Sequence, residues 1–70
     1  MKRMEITVNH QPYSITGSCS VIQLLTAVLQ IPESGIAVAV NQSVVSKSDW
    51  SAYHLQPGDQ VMLIKATQGG

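Results

Sequence analysis

The sequence predicts one domain of the α+β class, in which a mixed sheet of four to five strands packs on one main helix. Three observations support this prediction. Alternating apolar and polar residues open the chain, one segment with a helical apolar period follows, and short apolar runs between turn residues complete it. Because a domain of 70 residues buries only about 60% of its unfolded surface, we expect one small core and no second domain.

The first predicted element is a β-hairpin. Apolar and polar residues alternate over residues 4–8, as in a strand with one buried face. The polar stretch over residues 9–12 has the composition of a turn, and Tyr13 and Ile15 then resume the alternation. We therefore expect a second strand over residues 13–16, antiparallel to the first.

The helix has the clearest local pattern. Ser20 and Gln23 have the spacing of a capping box, in which each side chain satisfies a backbone N–H of the first turn, and Cys19 precedes the cap as a packing residue. The next apolar residues have helical spacing and form one stripe for the sheet to cover: Val21, Leu24, Leu25, Val28 and Leu29. We expect Pro32 to end the helix, because proline disfavours helical geometry at the residue before it.

Short strands are predicted after the helix. The continuous apolar run over residues 36–40 is typical of an interior strand, covered on one face and partly on the other. A turn at residues 41–43 leads into a brief fourth strand at residues 44–45. Trp50 and Leu55 follow in a polar segment, where they are expected to plug one end of the core.

The last strand leads directly to the end of the sequence. A turn at residues 57–59 precedes a strand over residues 60–65. This strand can pair with the first strand as its parallel neighbour in the middle of the sheet, which gives the β-grasp, or ubiquitin-like, architecture. The chain then divides into a β-grasp domain, residues 1–65, and a flexible C-terminal tail, residues 66–70, which ends in Gly-Gly.

The tail is the expected functional part. Gly69 and Gly70 have no Cβ, so they form a thin strip that can enter a narrow channel and let a reacting group approach the terminal carbonyl. Five residues reach at most about 17 Å at about 3.4 Å each, which is enough to penetrate a partner enzyme. The sequence therefore predicts that the Gly70 carboxylate is presented to the active site of another protein.

Composition excludes several other functions. Four basic and four acidic residues give a formal net charge of zero, and the basic residues are dispersed, so we expect no nucleic-acid partner. The single cysteine, Cys19, cannot form an internal disulfide, and no Cys/His spacing suggests a metal site, which fits a reducing cytoplasm. Since no apolar stretch is long enough for a signal peptide or a membrane span, we expect a cytoplasmic protein without a membrane partner.

Several short strings together resemble the ThiS family, the sulfur carrier proteins of thiamine biosynthesis. In order along the chain they are Ala37-Val38-Ala39-Val40-Asn41, Val44-Val45 with Trp50 following, Gly58-Asp59, and Gly69-Gly70. The likeness spans the whole chain, and the order and spacing of the strings make it specific. One departure is visible, because Ser46-Lys47 stands where family members often carry Pro-Arg.

The resemblance implies a protein substrate and carrier, with no catalytic residue and no bound cofactor of its own. A ThiF-like adenylyltransferase would use ATP and magnesium to adenylate Gly70. A persulfide supplied through a cysteine desulfurase would then convert Gly70 into a thiocarboxylate. The expected sulfur acceptor is a ThiG-like thiazole synthase. Adenylation is needed because the terminal carboxylate, with a reference pKa near about 3.5, is ionised and a poor acceptor for a nucleophile.

The last strand also suggests a docking surface. Its apolar residues occupy both faces, although a sheet with one helix covers only one of them. If Val61 and Leu63 face the helix, Met62 and Ile64 face outward beside the tail. Methionine adapts to different partners, so we expect Met62 and Ile64 to contribute to partner docking.

Three alternatives to a thiamine carrier remain open at the level of sequence. The first is a carrier like the small subunit of molybdopterin synthase, the second is a ubiquitin-like modifier that forms isopeptide bonds, and the third is a noncatalytic β-grasp binding module. Cys19 could also carry sulfur if the helix N-terminus favoured its thiolate, but packing is the expected role. His10 and His54 are expected to be solvated loop residues.

Overall fold

The protein is described by a computed structural model that covers residues 3–32 and 34–65. Within these ranges the strands are β1 (Arg3–Val8), β2 (Gln11–Thr16), β3 (Ile36–Val40), β4 (Ser43–Val45) and β5 (Gln60–Lys65). Helix α1 consists of an α-helical turn, Val21–Gln23, followed by a π-helical segment, Leu24–Val28. A 3-10 turn lies at Lys47–Asp49. The predicted tail lies outside the described residues, so the domain boundary at residue 65 stays a prediction.

The strands form one five-stranded mixed sheet in the order β2-β1-β5-β3-β4. β1 and β5 are parallel and pair through Thr7 with Gln60 and Val8 with Val61. The other neighbours are antiparallel. This is the predicted β-grasp arrangement, with the first and last strands adjacent in the middle of the sheet. The predicted bounds of β3 and β5 are confirmed.

The turn between β1 and β2 is shorter than predicted. It consists of Asn9 and His10, with φ angles of 50° and 69°, and β2 already begins at Gln11. Two consecutive positive φ angles give a turn whose twist matches that of the flanking strands. Pro12, predicted to lie in the turn, pairs with Thr7 inside the ladder. It is tolerated there because β2 is an edge strand, on which a missing N–H costs no ladder bond.

The turn between β3 and β4 has the same form. Asn41 and Gln42 have φ angles of 52° and 73°, and Ser43 opens β4 by pairing with Val40. The predicted three-residue turn is therefore one residue too long. In both hairpins asparagine occupies the first turn position, where its side chain makes a left-handed backbone tolerable.

Helix α1 begins as predicted and ends differently. The Gln23 N–H donates to Ser20 Oγ at 3.2 Å, and the Ser20 N–H donates to Gln23 Oε1 at 2.9 Å, which confirms the capping box. The Leu29 N–H then donates to the Leu24 carbonyl at 2.9 Å, a step of five residues that widens the helix. This step moves Val28 off the predicted stripe, and its side chain is 40% exposed.

The predicted role of Pro32 as the end of the helix is wrong. The helix ends at Val28, and Gln30 adopts a left-handed conformation with φ of 55°. The Ile31 N–H closes this end by donating to the Leu25 carbonyl at 2.9 Å. A left-handed residue after the last turn is a common way to satisfy the final carbonyl groups of a helix.

The core lies between α1 and one face of the sheet. Its most deeply buried side chains are Val21, Leu24, Leu25, Val38, Val40 and Val61. Trp50 and Leu55 are also buried and belong to the core cluster, and their predicted position at one end of the core stays a prediction. In the described parts of the chain, no helix has the length and apolar character needed to cross a membrane.

Candidate functional site

The candidate site begins at β5, the strand that leads to the predicted tail. Antiparallel pairing with β3 holds β5 along its length, from Val40 opposite Val61 to Ile36 opposite Lys65. The parallel ladder with β1 is much shorter and ends at Val61. The second half of β5 therefore has a backbone ladder on one side only.

Asn41 holds the start of β5 from the β3 side. Its Oδ1 accepts a hydrogen bond from the Gln60 N–H at 2.9 Å, and its own N–H donates to the Gln60 carbonyl at 2.8 Å. Its Nδ2 donates to Asp59 Oδ1 at 3.0 Å. The other carboxylate oxygen of Asp59 accepts from the Gln56 N–H at 2.8 Å. Asp59 is buried, so these bonds replace the water that its carboxylate loses on folding.

Asn9 holds β5 from the β1 side. Its N–H donates to the Val61 carbonyl at 2.9 Å. Its Oδ1 accepts a hydrogen bond from the Leu63 N–H at 2.8 Å. These two bonds carry the contact between the hairpin and β5 beyond the last residue of β1. Sequence reasoning assigned Asn9 only to a turn and missed this contact.

After Val61, exposure along β5 rises towards the C-terminal end of the strand, where Ile64 and Lys65 are both exposed. Val61 is buried, whereas Ile64 is 55% exposed. Met62 and Leu63 are both half-buried. Val61 belongs to the core cluster, and Leu63 packs against it, as expected for the side of β5 that faces the helix. The docking role predicted for Met62 and Ile64 stays a prediction.

The register of the sheet adds residues to this surface. Ala39 pairs with Met62 on one side and with Val44 on the other, and Ala37 pairs with Ile64. Paired residues of antiparallel strands have their side chains on the same face of the sheet. We call this set of five the outer apolar face; its members are Ala37, Ala39, Val44, Met62 and Ile64.

Val44 is the member that sequence reasoning missed. Its side chain is 76% exposed, whereas that of the next residue, Val45, is buried. A two-residue period applied to this pair would have indicated that one of them points away from the core. The other half of the same sheet face is polar, since β1 and β2 place Glu5 and Ser14 there as a cross-strand pair. The apolar part of the face is thus confined to β3, β4 and β5.

The remaining candidate residues give little support to chemistry by side chains. Cys19 is buried, its Sγ donates to the Ser20 carbonyl at 3.3 Å, and burial raises the pKa of its thiol. A raised pKa disfavours the thiolate that sulfur transfer would require, so the structure favours packing. His10 and His54 are exposed. Among the described residues, no group of three His, Cys, Asp or Glu side chains could hold a metal ion.

The residues predicted to carry the chemistry follow β5 in the sequence. Gly69 and Gly70 lie outside the described residues, and so do the three residues that precede them. Lys65, the last residue of β5, is described and exposed. What the structure provides is the central strand that leads to these residues and the apolar face beside it.

Comparison with known proteins gives consistent results for sequence and structure. A family model described as the ThiS family matches residues 6–70. The sulfur carrier protein ThiS of Escherichia coli strain K12 is 33% identical over 67 residues, which cover 96% of this chain and 100% of that protein. A crystal structure of a thiamine biosynthesis protein (ThiS) from Geobacter metallireducens has a TM-score of 0.82 and 29% identity, covering 96% of this chain and 100% of that chain. A solution structure of a thiamine biosynthesis protein from the same organism has a TM-score of 0.74 and 28% identity, covering 96% of this chain and 88% of that chain.

Proposed function

The chain belongs to the ThiS family, and on this basis we propose that it is a sulfur carrier protein of thiamine biosynthesis that carries sulfur on the C-terminal carboxyl of Gly70. The observation that carries the proposal is a family match that runs through β5 and extends to Gly70. The carrier is a substrate of partner enzymes, which supply the catalysis.

The first step activates the carboxyl of Gly70. A carboxylate oxygen attacks the α-phosphorus of ATP, pyrophosphate leaves, and a mixed anhydride with AMP forms. The partner is a ThiF-like adenylyltransferase, which uses ATP and magnesium. Activation is required because an ionised carboxylate resists attack by a second anion, whereas AMP is a good leaving group.

The second step introduces sulfur. The terminal sulfur of a persulfide, supplied through a cysteine desulfurase, attacks the acyl carbon of Gly70 and AMP leaves. The resulting acyl disulfide gains two electrons from a thiol reductant, which breaks the sulfur–sulfur bond and leaves a thiocarboxylate on Gly70. A ThiG-like thiazole synthase is the proposed acceptor of this sulfur.

The scaffold suits this role by holding the strand that precedes the tail. β5 is a central strand, and its pairing with β3 continues to Lys65. A partner that binds the sheet therefore finds Lys65, the residue before the predicted tail, at a defined position. The proposed role of Gly69 is steric, since the absence of a Cβ lets the reacting groups approach the neighbouring carbonyl.

The outer apolar face is the proposed docking surface for the adenylating partner. Ile64 and Val44 are 55% and 76% exposed, and Met62, on the same strand as Ile64, is linked to Val44 through Ala39 in the pairing register. An apolar centre with a polar surround is the usual composition of a protein interface. The position of this face beside the end of β5 allows one partner to bind the sheet and the tail together.

Intact-mass spectrometry tests the proposed function. The purified chain is incubated with a ThiF-like adenylyltransferase, ATP, magnesium, a persulfide donor and a thiol reductant. We expect its mass to rise by the difference between one sulfur and one oxygen atom, and fragmentation should place the change at Gly70. A variant lacking Gly70 is the matched control and should keep its mass. An unchanged mass of the native chain, with an enzyme that loads the E. coli relative in parallel, would refute the proposal.

A further inference from the structure

Asn9 combines two structural roles. Its backbone, with φ of 50°, forms the first position of the two-residue turn between β1 and β2. Its side chain accepts the hydrogen bond from the Leu63 N–H, across 54 positions of sequence. Glycine and asparagine tolerate this backbone conformation best, and of these two only asparagine carries an acceptor.

The contact replaces a missing part of the sheet. β1 leaves the ladder after Val8, so no β1 carbonyl is available beyond Val61 to accept from β5. The carboxamide oxygen of Asn9 reaches Leu63 and serves as that acceptor, at 2.8 Å. Leu63 and the two residues after it are otherwise held by β3 alone among the strands of the sheet.

We propose that Asn9 is a positioning residue for sulfur loading, because its side chain fixes the part of β5 from which the chain continues to Gly70. This inference rests on the proposed function and deepens it. Without the bond, the end of β5 separates more easily from the sheet. A partner docked on the sheet must then also order the end of β5 before the Gly70 carboxyl reaches its active site.

Asn41 provides a matched comparison. It occupies the same turn position with φ of 52°, and its Oδ1 accepts from the Gln60 N–H at 2.9 Å. It therefore makes the same kind of contact at the start of β5, farther from Gly70. If Asn9 contributed only to general stability, loss of either side chain would affect loading in the same way.

Three variants separate positioning from stability. Asn9→Gly keeps a residue that accepts positive φ but removes the acceptor, whereas Asn9→Asp keeps an acceptor. Asn41→Gly removes the corresponding acceptor at the start of the strand. Hydrogen exchange of the Leu63 N–H reports the contact directly, and the kcat/KM for pyrophosphate release with the ThiF-like partner reports loading.

We expect the Leu63 N–H of Asn9→Gly to exchange about fivefold faster, which is the equilibrium effect of one ordinary hydrogen bond. Its kcat/KM should fall by a similar factor, mainly through a higher KM, since the partner must order more of the chain. Asn9→Asp should restore most of both values. Asn41→Gly should lose at least as much stability and keep the native kcat/KM.

Distinct results overturn the proposal and the function on which it rests. Faster Leu63 exchange in Asn9→Gly with a native kcat/KM would show that the contact is structural only. An equal loss of kcat/KM in Asn41→Gly would likewise reduce the effect to stability. Native exchange in Asn9→Gly would show that the contact does not hold β5. Failure of the unaltered chain to release pyrophosphate would reject the proposed function itself, and the role in loading with it.

Discussion

The side-chain amide of Asn41 donates a hydrogen bond to the carboxylate of Asp59 at 3.0 Å and joins the turn between β3 and β4 to the turn that precedes β5. The carboxylate also accepts from the Gln56 N–H, and the Asp59 backbone carbonyl accepts from the Thr7 N–H at 3.0 Å. Asp59 thus links β1, the turn between β3 and β4, and the turn that precedes β5. This contact is the basis of a prediction about stability.

Asp59→Ala should lower the free energy of unfolding by about 1–3 kcal/mol, because it removes the buried carboxylate that accepts part-buried hydrogen bonds from Asn41 and Gln56. Urea denaturation followed by Trp50 fluorescence measures this change. Asp49→Ala, at an exposed carboxylate, is the control and should change stability by less than about 0.5 kcal/mol. Equal effects of the two substitutions would contradict the structural role given to Asp59.

The outer apolar face leads to a prediction about partner binding. Ile64→Asp and Val44→Asp should each raise the KM for adenylation about tenfold or more, since a charge at the centre of an apolar interface loses its hydration without gaining a partner. Both side chains are exposed, so the free energy of unfolding should change little. Steady-state kinetics with the ThiF-like enzyme give the KM.

Val28→Asp is the matched control for these two variants. Val28 is also an exposed valine, at 40%, but it lies on α1, which packs on the opposite side of the sheet. Its substitution should leave the KM unchanged. A KM that rises equally for all three charged variants would indicate a general effect of charge and remove the case for a docking surface.

Burial of Cys19 predicts a specific pH dependence. Because the folded-state pKa of this thiol is raised, folding favours the protonated form. Its contribution to stability is therefore complete below the pKa of the unfolded chain, about 8.5, and is lost as pH rises from there through the folded-state pKa. Cys19→Ala should remove this part of the decline when the unfolding free energies of both proteins are compared from pH 7 to 10.

The same variant tests whether Cys19 carries sulfur. Cys19→Ala should be loaded at Gly70 with the native rate, because a buried, protonated thiol is a poor nucleophile. Mass spectrometry of the loaded variant measures this rate against the native chain. A large decrease in loading of a fully folded Cys19→Ala protein would establish a direct role for the thiol.

Much of the fold follows from local sequence patterns. The capping box at Ser20 and the alternation in β1 depend on neighbouring residues only, so the sequence was sufficient to predict them. The widened turn after Leu24 could not be predicted. It depends on whether the Leu24 carbonyl accepts from the N–H of Val28, as in an α-helix, or from that of Leu29, as the structure shows. The exposure of Val28 follows from that choice and not from its place in the apolar stripe.

The site was less accessible to sequence reasoning for a related reason. The alternation along β5 placed Ile64 outward, since side-chain direction in a strand is a local property. Val44 joins the same surface only through its pairing with Ala39, and Asn9 meets Leu63 only because β1 and β5 are neighbours. Both relationships are set by register and topology, which link residues far apart in the chain.

The last prediction concerns the Gly-Gly sequence itself. Gly69→Val should reduce loading of Gly70 by at least about a hundredfold, because its branched side chain obstructs the narrow approach proposed for the acyl group, and Gly69→Ala should have a smaller effect. The free energy of unfolding should stay native, which urea denaturation checks. Pyrophosphate release and intact mass distinguish a block of adenylation from a block of sulfur transfer. Native loading of Gly69→Val would show that clearance beside Gly70 is not required, and Gly70-dependent conjugates of high mass in cell extracts would favour a ubiquitin-like modifier instead.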